Sequence, residues 1–122
     1  MALAADMMRG GTSAFQARAL NGAVAPSVSA AGTTITDATD LKATTNYVST
    51  VASGAGVQLP SMLIGDDCIV YNGGANALKV YPDAATVGIN QLSVGTATTL
   101  GVNTAMLFRK VSTTRLVAFL SA

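Results

Sequence analysis

Residues 68–82, CIVYNGGANALKVYP, form the stretch that decides the predicted fold of this chain. Two apolar runs, residues 68–71 and 78–81, are rich in β-branched and aromatic side chains, which favour strands. The connector between them, residues 72–77, consists of asparagine, glycine and alanine, and the first two tolerate positive φ. Two strand-like runs around such a connector predict a β-hairpin.

The alternation in the second run predicts which of its side chains face the core. Leu78 and Val80 alternate with Lys79 and Tyr81, so we expect Leu78 and Val80 to be buried. Pro82 has no N–H to donate to a sheet and is expected to end the strand. The stretch therefore predicts a scaffold, and nothing in it indicates catalysis.

The composition indicates a protein that assembles with others. The chain has 122 residues, which suits one domain, or one domain with an arm. Half of its residues are hydrophobic and 11% are charged, against about a quarter in a typical soluble protein. Burial of part of the surface in an assembly would explain so few charges. The alternative is a surface made polar by threonine, serine and asparagine.

The residue types exclude the common catalytic centres. The chain has no histidine and one cysteine, so a Ser-His-Asp triad, a Cys-His pair and an intramolecular disulfide are ruled out, and a zinc site is not expected. Residues 54–56, Gly-Ala-Gly, have no following helix to complete a dinucleotide site, and Gly73-Gly74 lacks the lysine of a phosphate loop. We therefore expect no enzyme activity, no catalytic residue and no cofactor.

Two further groups of polar residues have a binding interpretation and a structural one. Asp66 and Asp67 could ligate Ca²⁺ together with Asp83, but adjacent aspartates after a glycine more often form a turn, so no metal is expected. The three tyrosines, at positions 47, 71 and 81, could stack on a sugar. Packing and cross-strand pairing explain the same tyrosines more simply.

The sequence also indicates which large partners are absent. No apolar run approaches the ~18–20 residues of a membrane span. The N-terminus has no basic segment followed by an apolar one, so no signal peptide is expected. Positive charges are scattered, which gives no footprint for nucleic acid.

Residues 1–32 differ from the remainder and are predicted to be an attachment arm. Thr12 or Ser13 can cap a short helix over residues 14–20, and Asn21-Gly22 can end it. Two turns are not stable alone in water, so this helix needs a partner, and the alternative is a disordered tail. Residues 25–32 are expected to be a linker. The expected partner-binding residues are Phe15, Arg18, Ala19 and Leu20.

Residues 33–122 are predicted to form the β domain, beginning with a short strand at residues 33–36. Many short strands with turn signals every 8–12 residues predict an all-β fold, an antiparallel β-sandwich or a jelly-roll-like barrel. The last strand, residues 116–120, is apolar on both faces, as in a central strand or at a subunit interface. One of its faces is the expected oligomer interface: Leu116, Ala118 and Leu120.

Several segments resemble small β-rich virion proteins of tailed bacteriophages. They are GVQLP at residues 56–60, VYNGGANALKVYP at 70–82 and INQL at 89–92. TTRLVAFL at residues 113–120 is similar to the last strand of such proteins, although an aromatic residue often stands where this chain has Leu116. SAFQARALNG at residues 13–22 resembles their N-terminal anchor element. The resemblance covers about two thirds of the chain.

The resemblance implies a structural role on the virion. The expected function is that of a capsid decoration or cement subunit on the outer capsid surface, trimeric and bound to the major capsid protein. The alternative is a head- or tail-fibre module that binds host-surface glycan.

Overall fold

The structure, a computed structural model, describes residues 23–121, and every regular element in that range is a β-strand. The all-β class expected from the sequence is therefore confirmed. The ten strands are β1 (Val24–Ala30), β2 (Thr39–Asp40), β3 (Thr45–Val51), β4 (Gly56–Gln58), β5 (Asp67–Asn72), β6 (Leu78–Tyr81), β7 (Gly88–Ile89), β8 (Thr98–Leu100), β9 (Ala105–Ser112) and β10 (Arg115–Leu120).

The strands form two sheets, and the chain passes from one sheet to the other after each strand from β1 to β8. The larger sheet has six strands in the order β1-β3-β5-β9-β10-β7, and the smaller has four in the order β2-β4-β6-β8. The first three strands of each sheet are parallel to one another. Three antiparallel pairs follow, in which β8 pairs with β6, β9 with β5, and β10 with β9.

This arrangement is a short β-solenoid, and the prediction of an antiparallel sandwich or jelly roll is wrong. Each coil contributes one strand to each sheet and stacks on the previous coil. Along the larger sheet, Val24 pairs with Thr45 and Thr45 with Ile69, steps of 21 and 24 positions. In the smaller sheet, Thr39 pairs with Val57 and Val57 with Val80, steps of 18 and 23 positions. The uneven steps explain why the sequence has no visible repeat.

The predicted hairpin is also wrong, because β5 and β6 lie in different sheets. The connector at residues 73–77 turns a corner between the two layers. Neither Gly73 nor Gly74 has a positive φ. A Cβ on Gly73 would lie 2.6 Å from Cζ of Tyr47, and one on Gly74 would lie 2.7 Å from Cγ2 of Val51. The two glycines are needed because side chains of the preceding coil pack against the corner.

The N-terminal boundaries differ from the prediction as well. Residues 25–30, expected to belong to a linker, lie in β1 and pair with β3. Residues 33–36 form a turn instead of a strand. Asp37 holds this turn, since its Oδ1 accepts hydrogen bonds from the backbone N–H groups of Thr33 (3.0 Å) and Thr34 (2.7 Å). The predicted helix at residues 14–20 lies outside the described residues.

The core lies between the two sheets and contains the side chains expected there. Leu78 and Val80 are fully buried, and β6 ends at Tyr81, directly before Pro82. The buried hydrophobic cluster comprises Ala30, Leu41, Val48, Val51, Ala55, Val57, Leu59, Met62, Cys68, Val70, Leu78, Val80, Val87, Ile89, Leu100, Met106, Phe108 and Leu116. Both layers therefore contribute to a single apolar interior.

Asn72, at the corner after β5, is a buried polar residue whose hydrogen bonds join several loops. Its Nδ2 donates to the carbonyl oxygens of Asn76 (2.9 Å) and Leu100 (3.0 Å), and its Oδ1 accepts from the N–H of Gly74 (3.0 Å). The side chain of Asn76 then donates to the carbonyl oxygen of Val51 (2.8 Å) in the preceding coil. A buried amide with these partners specifies the path of the corner.

Replacing a core side chain of β6 by a carboxylate is expected to prevent folding. In Val80→Asp an unpaired charge would lie between the sheets, at a cost of several kcal/mol. Lys79→Asp is the matched control, because Lys79 is exposed on the opposite face of the same strand. Circular dichroism and thermal melting test the pair. Cooperative melting of Val80→Asp at the wild-type temperature would contradict the observed face assignment.

Asn72→Ala is expected to lower the free energy of unfolding by about 3 kcal/mol, because one buried and two partly buried hydrogen bonds are lost and their partners stay in place. Urea denaturation measures the change. Asn76→Ala, which removes one side-chain bond to Val51, is the control and is expected to cost about 1 kcal/mol. Equal losses in the two variants would show that Asn72 has no special role at the corner.

Candidate functional site

The residues predicted as the oligomer interface lie on the inward face of β10. Leu116 is fully buried in the core, and Ala118 packs partly against it. Leu120 is 61% exposed at the end of the strand. The predicted arm residues Phe15, Arg18, Ala19 and Leu20 lie outside the described part of the chain.

The other side of β10 belongs to the side of the six-stranded sheet that points away from the core. A continuous row of mostly apolar side chains crosses this side of the sheet. The strand register places Thr45 beside Val24, and Ile69 beside Thr45. It then places Leu107 beside Ile69, and Phe119 beside Leu107. We call these five residues the apolar row. Its two ends are the most open, with Val24 65% and Phe119 56% exposed.

A second row on the same face contains two stacked tyrosines. Tyr47, Tyr71 and Ala105 are register partners on adjacent strands. The two rings lie 5.1 Å apart between centroids, with 21° between their planes. Gly73 leaves space for the Tyr47 ring, as described above. Tyr47 remains 44% exposed, so the pair presents aromatic surface to solvent.

A third row borders the apolar row on its other side and carries one ion pair. Asp67, Arg109 and Val117 are register partners, and a guanidinium nitrogen of Arg109 lies 3.2 Å from a carboxylate oxygen of Asp67. Both side chains are about half exposed. An exposed pair of this kind contributes little to stability. The three rows together, which we call the outer face, carry no net charge.

The outer face is comparable in size to the largest patch that a typical monomer exposes. Its eleven positions at strand and residue spacings of about 4.8 and 6.8 Å correspond to a flat area of roughly 350 Å². Patches of this size on a monomer are often functional. The arrangement can bind another apolar surface.

A separate cleft of about 310 Å³ lies beyond the C-terminal ends of the parallel strands β2, β4 and β6. Asp83 lines it, and Nζ of Lys110 lies 2.8 Å from Oδ2 of that aspartate. The same Oδ2 accepts from the N–H of Met62 at 3.2 Å. Both charged side chains are buried, which favours a structural role that ties β9 to the loop after β6. The full lining is Asp40, Leu41, Lys42, Gln58, Leu59, Pro60, Ser61 and Asp83.

The polar residues with a predicted binding interpretation are separated in the fold. Asp66 closes the predicted turn, since its Oδ2 accepts from the N–H of Leu63 at 2.9 Å. Asp67 and Asp83 pair with different cations, and residues 23–121 hold no cluster of three potential metal ligands. Tyr81 is buried and donates to the carbonyl oxygen of Thr33 at 2.8 Å. Thus two of the three tyrosines lie on the outer face.

Cys68 is an unreactive core residue. Burial raises the pKa of its thiol to about 12, and a hydrogen bond from Asn46 only partly opposes this effect. The thiolate, which is the nucleophilic form, is therefore scarce at neutral pH.

Sequence reasoning missed Val24, Thr45 and Leu107 as members of the outer face. The alternation within each strand gives the local face of a side chain, and in β10 it places Val117 and Phe119 on the side opposite Leu116. The register between distant strands decides which of these faces join, and no local pattern records it.

Comparison with known proteins found no similar family or structure. No protein-family model, curated protein or solved structure matches the chain. Within residues 23–121, no helix has the length and apolar character needed to cross a membrane.

The raised pKa of Cys68 gives a prediction for thiol chemistry and for alkaline stability. The native thiol is expected to react with a disulfide reagent at pH 8 only as fast as the chain opens, and in urea to react at once. Above pH 9 the unfolded chain ionises its thiol while the native chain keeps the proton. Stability is therefore lost as the pH rises from 9 towards 12.

Cys68→Ala is the matched control for the alkaline effect, because it retains the other titrating groups. Urea denaturation at pH 8 and at pH 10 is expected to show a larger loss of stability for the wild type than for Cys68→Ala. Rapid labelling of the native thiol at pH 8, or equal losses in both proteins, would contradict the burial of Cys68.

Proposed function

We propose that this chain is a structural virion protein, a capsid decoration or cement subunit that acts by binding and performs no catalysis. The observation that carries this proposal is the outer face, a neutral surface with a five-strand apolar row that no other element of residues 23–121 covers. Burial of this exposed apolar surface against a partner is favourable, and patches of this size are often functional. The resemblance of residues 56–92 and 113–120 to phage particle proteins provides the virion context.

In this proposal the β-solenoid and the N-terminal residues have different tasks. The solenoid associates with other copies, and a trimer is the form that the resemblance implies. The arm binds the major capsid protein on the outer capsid surface through Phe15, Arg18, Ala19 and Leu20. Added contact area at the junctions between capsomers then opposes the pressure of the packaged DNA.

The second candidate is a head- or tail-fibre module that binds host-surface glycan. The stacked pair Tyr47 and Tyr71 favours it, because exposed aromatic rings can pack on sugar faces. The two functions differ in one measurable respect. A glycan module binds oligosaccharide as an isolated protein, whereas a cement subunit requires the capsid lattice.

A reconstruction of the intact particle tests the main proposal, which expects density for this chain on the outer surface of the capsid. Density at a fibre tip would favour the alternative. Absence of the chain from the particle would contradict both.

Phe15→Ala is expected to weaken binding to capsids that lack the protein by about 30-fold, because an aromatic anchor can contribute about 2 kcal/mol to a small interface. Co-sedimentation with such capsids measures the affinity. Leu63→Ala is the control, since Leu63 is 77% exposed in the loop between β4 and β5 and is not one of the residues assigned to capsid binding.

Deletion of residues 1–22 is the stronger variant of this test, and it leaves β1 intact. The truncated chain is expected to melt normally and to bind no capsid. Wild-type occupancy of the truncated chain would show that residues 1–22 are not the attachment element.

A further inference from the structure

We propose that a second copy of this chain docks on the outer face of the six-stranded sheet, so that this face joins the subunits of the oligomer. The inference deepens the proposed function and rests on it for the oligomer. It replaces the predicted interface, because Leu116 and most of Ala118 face the core of their own subunit. The surface available on β10 consists of Val117 and Phe119 on the other side of the strand and of Leu120 at its end.

The area of the outer face agrees with a contact between copies. Each copy offers a flat area of roughly 350 Å², and side-chain relief increases the accessible area. Face-to-face contact of two copies then buries on the order of 1,000 Å² in total, which is about the lower limit for a specific interface. The open ends of the apolar row, Val24 and Phe119, gain most from being covered.

The charges of the outer face are self-complementary. Its one acidic and one basic residue, Asp67 and Arg109, lie side by side at the border of the apolar row. When the same face of a second copy packs against it, neither face carries a net charge that would repel the other. The half-exposed ion pair can stay at the solvent-exposed edge of the interface. A strongly charged partner surface would gain nothing here, whereas the same neutral face of a second copy fits it.

The symmetry of the contact depends on how many copies associate. In the proposed trimer the three outer faces turn towards the three-fold axis, and each contacts both neighbours. A dimer would instead place two faces directly against each other about a two-fold axis. In both arrangements the outer face of another copy covers the apolar row.

The experiment measures the mass of the full-length chain at about 10 µM by native mass spectrometry and light scattering. The wild type is expected to be oligomeric. The double variant Val24→Asp, Phe119→Asp is expected to associate at least about 100-fold more weakly, because it places like charges in the contact. Both residues are exposed, so the subunit is expected to keep its fold and its thermal transition.

The matched control is the double variant Leu63→Asp, Ile64→Asp. These residues are 77% and 59% exposed in the loop between β4 and β5, outside the outer face. The control is expected to keep the wild-type mass. A monomeric wild type overturns the inference, as does an unchanged mass of the Val24→Asp, Phe119→Asp variant.

The outcomes separate this inference from the proposed function. A monomeric wild type that still decorates capsids would contradict docking through the outer face and would support the virion role. An oligomer that is disrupted by the outer-face variant but binds no particle would support the docking face and contradict the virion role. A wild-type dimer disrupted by the same variant would support the face and contradict the trimer.

Discussion

The fold depends on the corner at which the chain leaves one sheet for the other, and the buried amide of Asn72 holds that corner. A chain that changes layers must bend between layers, and the backbone groups at the bend lose their sheet partners. The Asn72 side chain supplies replacement partners to Gly74, Asn76 and Leu100. Gly73 and Gly74 let the preceding coil pack directly against the bend. The coils therefore stack at this corner for two reasons. The Asn72 amide has hydrogen-bond partners, and residues 73 and 74 carry no side chain.

Because the coils stack in two layers, each sheet has one side that faces the core and one side that faces away from it. The inward sides meet in the apolar core around Val80 and Phe108, where both are fully buried. No element in residues 23–121 covers the outward side of the larger sheet at its apolar row. The same stacking that orders the core also aligns Val24, Thr45, Ile69, Leu107 and Phe119 across five strands. The candidate binding surface is thus a consequence of the fold, and its residues come from distant parts of the sequence.

Local patterns predicted the strands better than their pairing. Alternation correctly assigned Leu78 and Val80 to the core, and Pro82 marked the end of β6. The glycines at residues 73 and 74 misled the prediction, because glycine serves a tight hairpin and a close approach of neighbouring backbone equally well. A threonine-rich segment at residues 33–36 resembled a strand, but Asp37 offered its backbone a competing set of hydrogen bonds. Each error concerned a choice between two locally acceptable structures.

The sequence by itself determined that residues 23–121 are all-β, that the chain has no histidine for a catalytic centre, and which side chains of its strongest strands lie inside. These properties follow from composition and from a period of two residues, both of which are local. Only the tertiary structure decided that the strands stack as parallel coils and that an apolar row crosses five of them. The physical reason is that pairing partners lie 18 to 24 positions apart with unequal spacing, so no periodic signal marks them. The register was selected by burial of the whole core and by the hydrogen bonds of its corners.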